Sequence, residues 1–190
     1  MHPARKLPHP TKLLNLIASL AVASILLPLA ACHSDTAATP DNFIAALNAH
    51  FLGHPECLFP DAPSFPYETT DPVKTAQMDA LAGAQMLTVK KEPSIHVSRY
   101  IPTASGEHIA PRFCYGHRRI STIDSFTPPA PANGFTETKV AYHYTVAEVP
   151  VWTKSDAMRA AFPAMALATS GNATGNATLA ATMVNWQVPD

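Results

Sequence analysis

The chain has 190 residues, the length of one domain or of one domain with a small appendage. Nineteen prolines and a charged fraction of only 14% point to a loop-rich fold and away from a helical bundle. Arg5, Lys6 and Lys12 precede residue 32 with no acidic residue among them, so the remainder sets ten basic against fourteen acidic residues, a net −4 that gives no electrostatic footprint for nucleic acid.

The first element is a leader. Arg5, Lys6 and Lys12 form a positive start, and residues 13–31 are apolar and uncharged, the pattern of a secretory signal. A retained transmembrane helix is the alternative, since the apolar run is nearly long enough to span a bilayer. Pro28 and the small residues before Cys32 argue against it. Leu29-Ala30-Ala31-Cys32 resembles the lipobox of bacterial lipoproteins, with a branched apolar residue, two small residues and a cysteine. The resemblance implies that residues 1–31 are removed, that the Cys32 thiol carries a diacylglycerol, and that the new amino terminus is acylated. Each buried methylene contributes ~0.8 kcal/mol, so several chains hold firmly where one holds marginally. In that family an aspartate after the cysteine favours retention at the inner membrane. Here the position is His33, which implies an outer-membrane anchor facing the periplasm for a source with two membranes.

With Cys32 taken by lipid, as the resemblance implies, Cys57 and Cys114 remain. An even pair in an exported domain reads as a disulfide. It closes a loop of about 58 residues, for which chain entropy suggests ~4 kcal/mol. Two unpaired buried thiols are the alternative.

Residues 32–38 are small and polar and read as a lipidated tether. Thr39-Pro40-Asp41-Asn42 then starts a helix, with a capping threonine, a proline in the first turn and an acid that complements the dipole. Phe43, Ile44, Leu47 and Phe51 make one apolar face, and Gly53 and Pro55 end it. Residues 57–67, with Pro60, Pro63 and Pro66, read as an ordered loop pinned by Cys57, Phe59 and Phe65. A second helix starts at Asp71-Pro72, with Val73, Gln77, Ala80, Leu81 and Ala84 along one side and Gly83 near its end. Two strands follow, at 86–89 and 95–101, with Lys90, Lys91, Glu92 and Pro93 as the turn. This order of helix, strand, turn and strand over 71–101 resembles a winged-helix module. No basic recognition helix precedes the wing, so the resemblance bears on shape and not on DNA binding.

Residues 102–190 read as the mainly β half of a single domain spanning 39–190. Strands are expected at 112–116 and 118–126, with a tight turn near Gly116-His117, and a proline-rich loop at 127–137. Val140, Tyr142, Tyr144 and Val146 alternate with Ala141, His143 and Thr145, the strongest strand signal in the chain. Ser155-Asp156 caps a short helix with Met158, Ala161 and Phe162 that Pro163 stops. The tandem duplication at 171–178 (Gly-Asn-Ala-Thr twice) reads as a mobile loop, and a last strand with Met183, Val184 and Trp186 runs over 179–188. Both copies fit the Asn-x-Thr glycosylation pattern, which a bacterial lipoprotein gives no reason to use.

Few residues suggest chemistry. His50, His54, Cys57, Cys114 and His117 could surround zinc, but a disulfide removes the two thiolates. No Gly-x-Ser-x-Gly elbow occurs, and nothing singles out a serine for His96, His108 or His143. Glu56 with Asp61, or Glu107 with Asp124, read as solvated charges, since acid–base work needs burial and geometry. Tyr142, Tyr144, Trp152 and Trp186 could line an apolar groove, yet Val140 and Val146 share the tyrosine face, which favours core. The expectation is an α+β fold: an antiparallel sheet, two N-terminal helices and one short helix in the second half, stapled by Cys57–Cys114. No catalytic residue, metal or cofactor is expected. The expected role is a lipid-anchored, non-enzymatic binding or assembly protein of the cell envelope, in contact with the membrane through Cys32 and with an envelope protein partner. A small-ligand or metal binder is the alternative, and a hydrolase stands third.

Overall fold

The computed structural model describes residues 34–189. The leader and Cys32, with its expected lipid, lie outside them. Helix α1 (Pro40–Gly53) begins where its cap predicts: the Thr39 hydroxyl accepts from the Asn42 N–H, Pro40 occupies the first turn, and Asp41 follows. Phe43 and Leu47 are fully buried. Residues 34–38 are held by side chains on two other elements. The Asn42 amide donates to the carbonyls of Ser34 and Ala37, both at 2.9 Å, and the Trp186 indole N–H donates to those of Thr36 (3.1 Å) and Ala37 (3.2 Å). Small polar residues left their backbone carbonyls open to capture by one nearby side chain, Asn42, and one distant one, Trp186.

Strand β1 (Tyr67–Thr69) precedes α2 (Pro72–Gly83), which Asp71 caps by accepting from the Lys74 N–H at 2.8 Å. Of the expected apolar side of α2, Ala80 and Leu81 are buried and Gln77 and Ala84 half-buried. Met78 and Leu81 point inward, whereas Val73 is exposed. Strands β2 (Leu87–Glu92) and β3 (Val97–Pro102) form the expected hairpin, and the sheet order is β1-β3-β2, all antiparallel. Pairing runs through Lys90, Lys91 and Glu92, so the turn falls later, at residues 93–96. Pro93 has no N–H to extend the ladder, which is why it ends there. Asp79 on α2 latches this sheet by accepting from the Tyr100 hydroxyl (2.8 Å) and from Lys91 Nζ (3.0 Å).

A single helical turn, α3 (Ala104–Glu107), follows. Residues 112–116, expected as a strand, make only one bridge, Cys57 opposite Cys114. Phe113 has φ +51°, which breaks the extended run and turns its ring fully into the core.

The remaining strands are β4 (His117–Phe126), β5 (Ala130–Ala132), β6 (Phe135–Ala147), β7 (Ala173–Ala181) and β8 (Trp186–Gln187). They form a second antiparallel sheet of order β4-β6-β7-β8, with β5 paired to β6. The proline-rich loop expected at 127–137 is therefore partly a hairpin. Asn133 and Gly134 both have positive φ, the pairing of residues that a tight hairpin turn requires. The duplicated segment at 171–178, expected as a mobile loop, is mostly strand β7. Ala173, Gly175 and Ala177 alternate with exposed or half-buried Thr174, Asn176 and Thr178, and the small side chains face bulky neighbours on β6. The expected last strand is split, because Met183 and Val184 lie in the turn between β7 and β8.

Strand β4 forms an edge of this sheet. It carries register shifts between Ile120 and Thr122 and between Ile123 and Ser125, and its Ile120 N–H donates to the Asn48 side chain of α1 at 2.8 Å. Helix α4 (Asp156–Ala161) starts at the Ser155 cap as expected. Pro163 ends it but also opens α5 (Pro163–Ala168), since proline suits a first helical turn.

The fold is thus α+β with antiparallel sheets and the Cys57–Cys114 disulfide. The strands divide between two sheets, and each has its own core. Phe59, Met78, Leu81, Tyr100, Phe113 and Met158 fill the first, beside α2 and α4. Phe43, Leu47, Val140, Tyr142, Leu179 and Trp186 fill the second, beneath α1. Val146 packs against both. Among the described residues, no helix is long and apolar enough to cross a membrane.

Candidate functional site

The best-built polar cluster lies beside the disulfide. Cys57 and Cys114 are bonded, so neither offers a thiolate, and among the described residues no three His, Cys, Asp or Glu side chains are placed to hold a metal ion. His50 and His54 instead stack on each other, with ring centroids 4.0 Å apart. His117 points elsewhere, 3.7 Å from a Glu148 carboxylate oxygen.

Glu56, next to Cys57, is held by two backbone bonds: its N–H donates to Gly116 and its carbonyl accepts from Tyr115, both at 2.8 Å. This places its carboxylate 2.6 Å from Arg118 Nε on β4. The Arg118 Nη1 donates to the Tyr142 hydroxyl at 3.2 Å. The guanidinium lies 4.9 Å from the Phe51 ring centroid on α1 and 4.6 Å from that of Tyr144 on β6. Glycine is required at position 175 on β7, because a Cβ there would stand 2.6 Å from the Tyr142 ring and 2.7 Å from its hydroxyl. The ion pair is thus flanked by α1, β4 and β6. The expectation of Glu56 as a solvated loop charge is corrected: its side chain is 19% exposed and that of Arg118 26%.

Electrostatics follow from that burial. Burial works to lower the Arg118 pKa, but bonds to Glu56 and Tyr142 outweigh it and hold the guanidinium charged. Burial, reinforced by the negative charge of Glu56, pushes the Tyr115 hydroxyl up to about 12, against the downward pull of Arg118. Tyr144 is also raised, by burial first, despite Arg118. In the first core, where Tyr115 also lies, burial and the bond to Asp79 push Tyr100 up to about 12. Because a folded pKa above the ordinary value near 10 favours the neutral form, these tyrosines stabilise the fold fully below pH 10. That contribution is lost as pH rises from about 10 through 12. Urea unfolding at pH 8, 10 and 11 is expected to show a midpoint that is flat at first and then falls. In Tyr100→Phe/Tyr115→Phe the fall should be shallower, and an equal fall would rule these two hydroxyls out as its source.

The other sequence candidates fall apart spatially or are already engaged. Asp124 belongs with His143, not Glu107: its carboxylate lies 2.7 Å from His143 Nδ1 on the open face of the second sheet. The Ser121 hydroxyl donates to the His143 main-chain carbonyl at 3.2 Å, so that bond does not give the ring a nucleophile. Tyr142, Tyr144 and Trp186 are buried in the second core, as the valines they alternate with suggest, and Trp152 packs in the first. Three openings are found among the described residues, one of them a shallow hollow of about 550 Å³ over Phe126, Lys139 and Asn176. A groove of about 470 Å³ runs between Asn42, Ala45, Ala46 and Ala49 of α1 and residues 185–188. A hollow of about 210 Å³ beside Phe59 and Met78 is lined by Gln77, whose side-chain oxygen is buried without a hydrogen-bond partner.

The pairing of Glu56 with Arg118 was beyond sequence reasoning, because 62 positions separate them. Their only local signal is that Glu56 precedes Cys57 and Arg118 lies two residues after Gly116. Chemically the cluster is a closed fastening. Its carboxylate, hydroxyl and guanidinium are engaged with one another, an arrangement suited to rigidity. Comparisons with protein-family models, curated proteins and solved structures yield no match.

Proposed function

We propose that this chain is a lipid-anchored protein of the bacterial cell envelope, attached through Cys32 and acting by binding or assembly rather than by catalysis. The observation that carries this reading is the disulfide. It consumes Cys57 and Cys114, so of the chain's three cysteines only Cys32, in its lipobox-like setting, stands outside it. The disulfide also suits an oxidising compartment. Spending Glu56, Arg118 and Tyr142 on one another supports a rigid binding scaffold, and His33 favours the outer membrane, facing the periplasm.

Mass spectrometry of the chain extracted from membranes tests the anchor. The expected amino terminus is Cys32 bearing a diacylglycerol and an amide-linked acyl group, with residues 1–31 absent. An intact leader or an unmodified Cys32 would overturn it. Thiol titration of the same denatured material is expected to find none before reduction and two after. Two thiols before reduction would place the chain in a reducing compartment and restore the metal-binding alternative.

A further inference from the structure

One end of the second sheet combines three features. First, residues 34–38 are fastened there. Thr136, Ala181 and Trp186 form a row across β6, β7 and β8, and it is the Trp186 indole that grips the carbonyls of Thr36 and Ala37. Ser34, which the Asn42 amide holds, is only two residues beyond Cys32. Two residues of chain reach at most about 7 Å.

Second, the loops past that row expose apolar side chains. Met183 is 97% exposed and Val184 68%, both in the β7–β8 turn, and Phe135, next to Thr136 at the β5–β6 hairpin, is 57% exposed. The β7–β8 turn is firmly built. Thr182 and Asn185 share a backbone bond of 2.8 Å, and the Thr182 hydroxyl donates to the Asn185 carbonyl at 2.8 Å while accepting from the N–H groups of Val184 and Asn185. A rigid turn that holds a methionine and a valine in water spends its order on presenting them.

Third, these segments carry no charge. Between Asp124 and Glu137, and again between Arg159 and Asp190, the sequence contains no Asp, Glu, Lys or Arg. Ionised groups are what an interfacial surface must avoid burying among acyl chains. The nearby charges are acidic, Asp35 and Asp41 of the N-terminal turn and α1 and Glu137, whose carboxylate accepts from the Asn133 amide at the hairpin tip, so attraction to anionic headgroups is not the driving force.

From this coincidence we propose that the end of the sheet bearing Met183, Val184 and Phe135 rests on the bilayer, with the β7–β8 turn entering its interfacial region. The proposal builds on the reading of Cys32 as lipidated, and it adds an orientation. A two-residue tip buries too little to hold a protein alone, but acyl chains attached within a few residues of the pinned segment keep it at high effective concentration beside the lipid. The domain would then stand directly on the surface and present its other end outward.

The test uses the mature lipidated protein in neutral phosphatidylcholine vesicles. An environment-sensitive fluorophore is placed at Met183→Cys, and, as a control, at Ile95→Cys in the β2–β3 turn. Position 183 is expected to shift to the blue and to lose most of its emission to bilayer-embedded quenchers, while position 95 stays aqueous. Equal, aqueous emission at both would overturn the proposal. So would a blue shift at 183 that arises without vesicles and grows with protein concentration, since a second copy would then cover the tip. The mass of the Cys32 peptide in the same sample separates the two readings. Acylated Cys32 with an aqueous label at 183 removes the seat and keeps the anchor, whereas unmodified Cys32 with a lipid-quenched label removes the anchor and keeps the seat.

Discussion

Replacing Cys57 and Cys114 together with alanine is expected to lower the unfolding free energy by about 4 kcal/mol, the chain-entropy value for a loop of this length. The bridged residues are 57 positions apart, so the disulfide-free unfolded chain gains a large set of conformations. In a domain of this size the melting temperature should fall by roughly 8–16 °C. Position adds to the effect. Cys57 adjoins Glu56 of the ion pair, while Cys114 adjoins Phe113, buried in the first core, so the bond fastens a strap that touches both sheets. Each core holds one tryptophan, Trp152 in the first and Trp186 in the second, and single-tryptophan variants let urea unfolding be followed core by core. A loss below about 1 kcal/mol would mean that the unfolded chain is already compact across this loop.

The second large effect is expected at Arg118. Substitution by alanine removes the partner of Glu56 and leaves its carboxylate largely enclosed, and it vacates the space between the Phe51 and Tyr144 rings. Breaking such a pair from one side costs roughly 3 kcal/mol, because the remaining charge keeps its desolvation without its counterion. Lysine should recover only part of this, since an ammonium group cannot offer the planar face and fork that meet two rings, a carboxylate and a hydroxyl together. Arg118→Met/Glu56→Gln is expected to be milder than Arg118→Ala alone, as it removes both charges and retains the apolar stem. Chemical denaturation of the three variants reads out the order. Equal losses in Arg118→Lys and Arg118→Ala would show that the rings and the fork contribute nothing beyond bulk.

What the sequence made legible was local. Thr39 and Asp71 announce their helices because a cap and a following proline act within four residues, and Ser155 does the same for α4. The alternation of Val140, Tyr142, Tyr144 and Val146 reads directly as a strand with one face packed. Strand β7 was hidden for a physical reason: Ala173, Gly175 and Ala177 are small because Tyr142 and Tyr144 fill the space opposite, and small residues next to Asn and Thr look like a loop when the tyrosines cannot be seen. What holds residues 34–38 was hidden likewise, since beside Asn42 it includes a tryptophan about 150 positions away. Of the candidate site, the disulfide could be anticipated by counting cysteines. The Glu56–Arg118 contact could not, because charge alone does not say which residues a fold will bring within 3 Å.

The edge formed by β4 bears on how densely such a domain can be packed. Copies confined to one surface meet far more often than copies in bulk, and an open ten-residue strand would offer each newcomer a template for backbone accretion. Here two bulges spoil the register, and Asn48 occupies the Ile120 N–H that a foreign carbonyl would otherwise seek. Crowding can therefore rise without the chains zipping together into sheets.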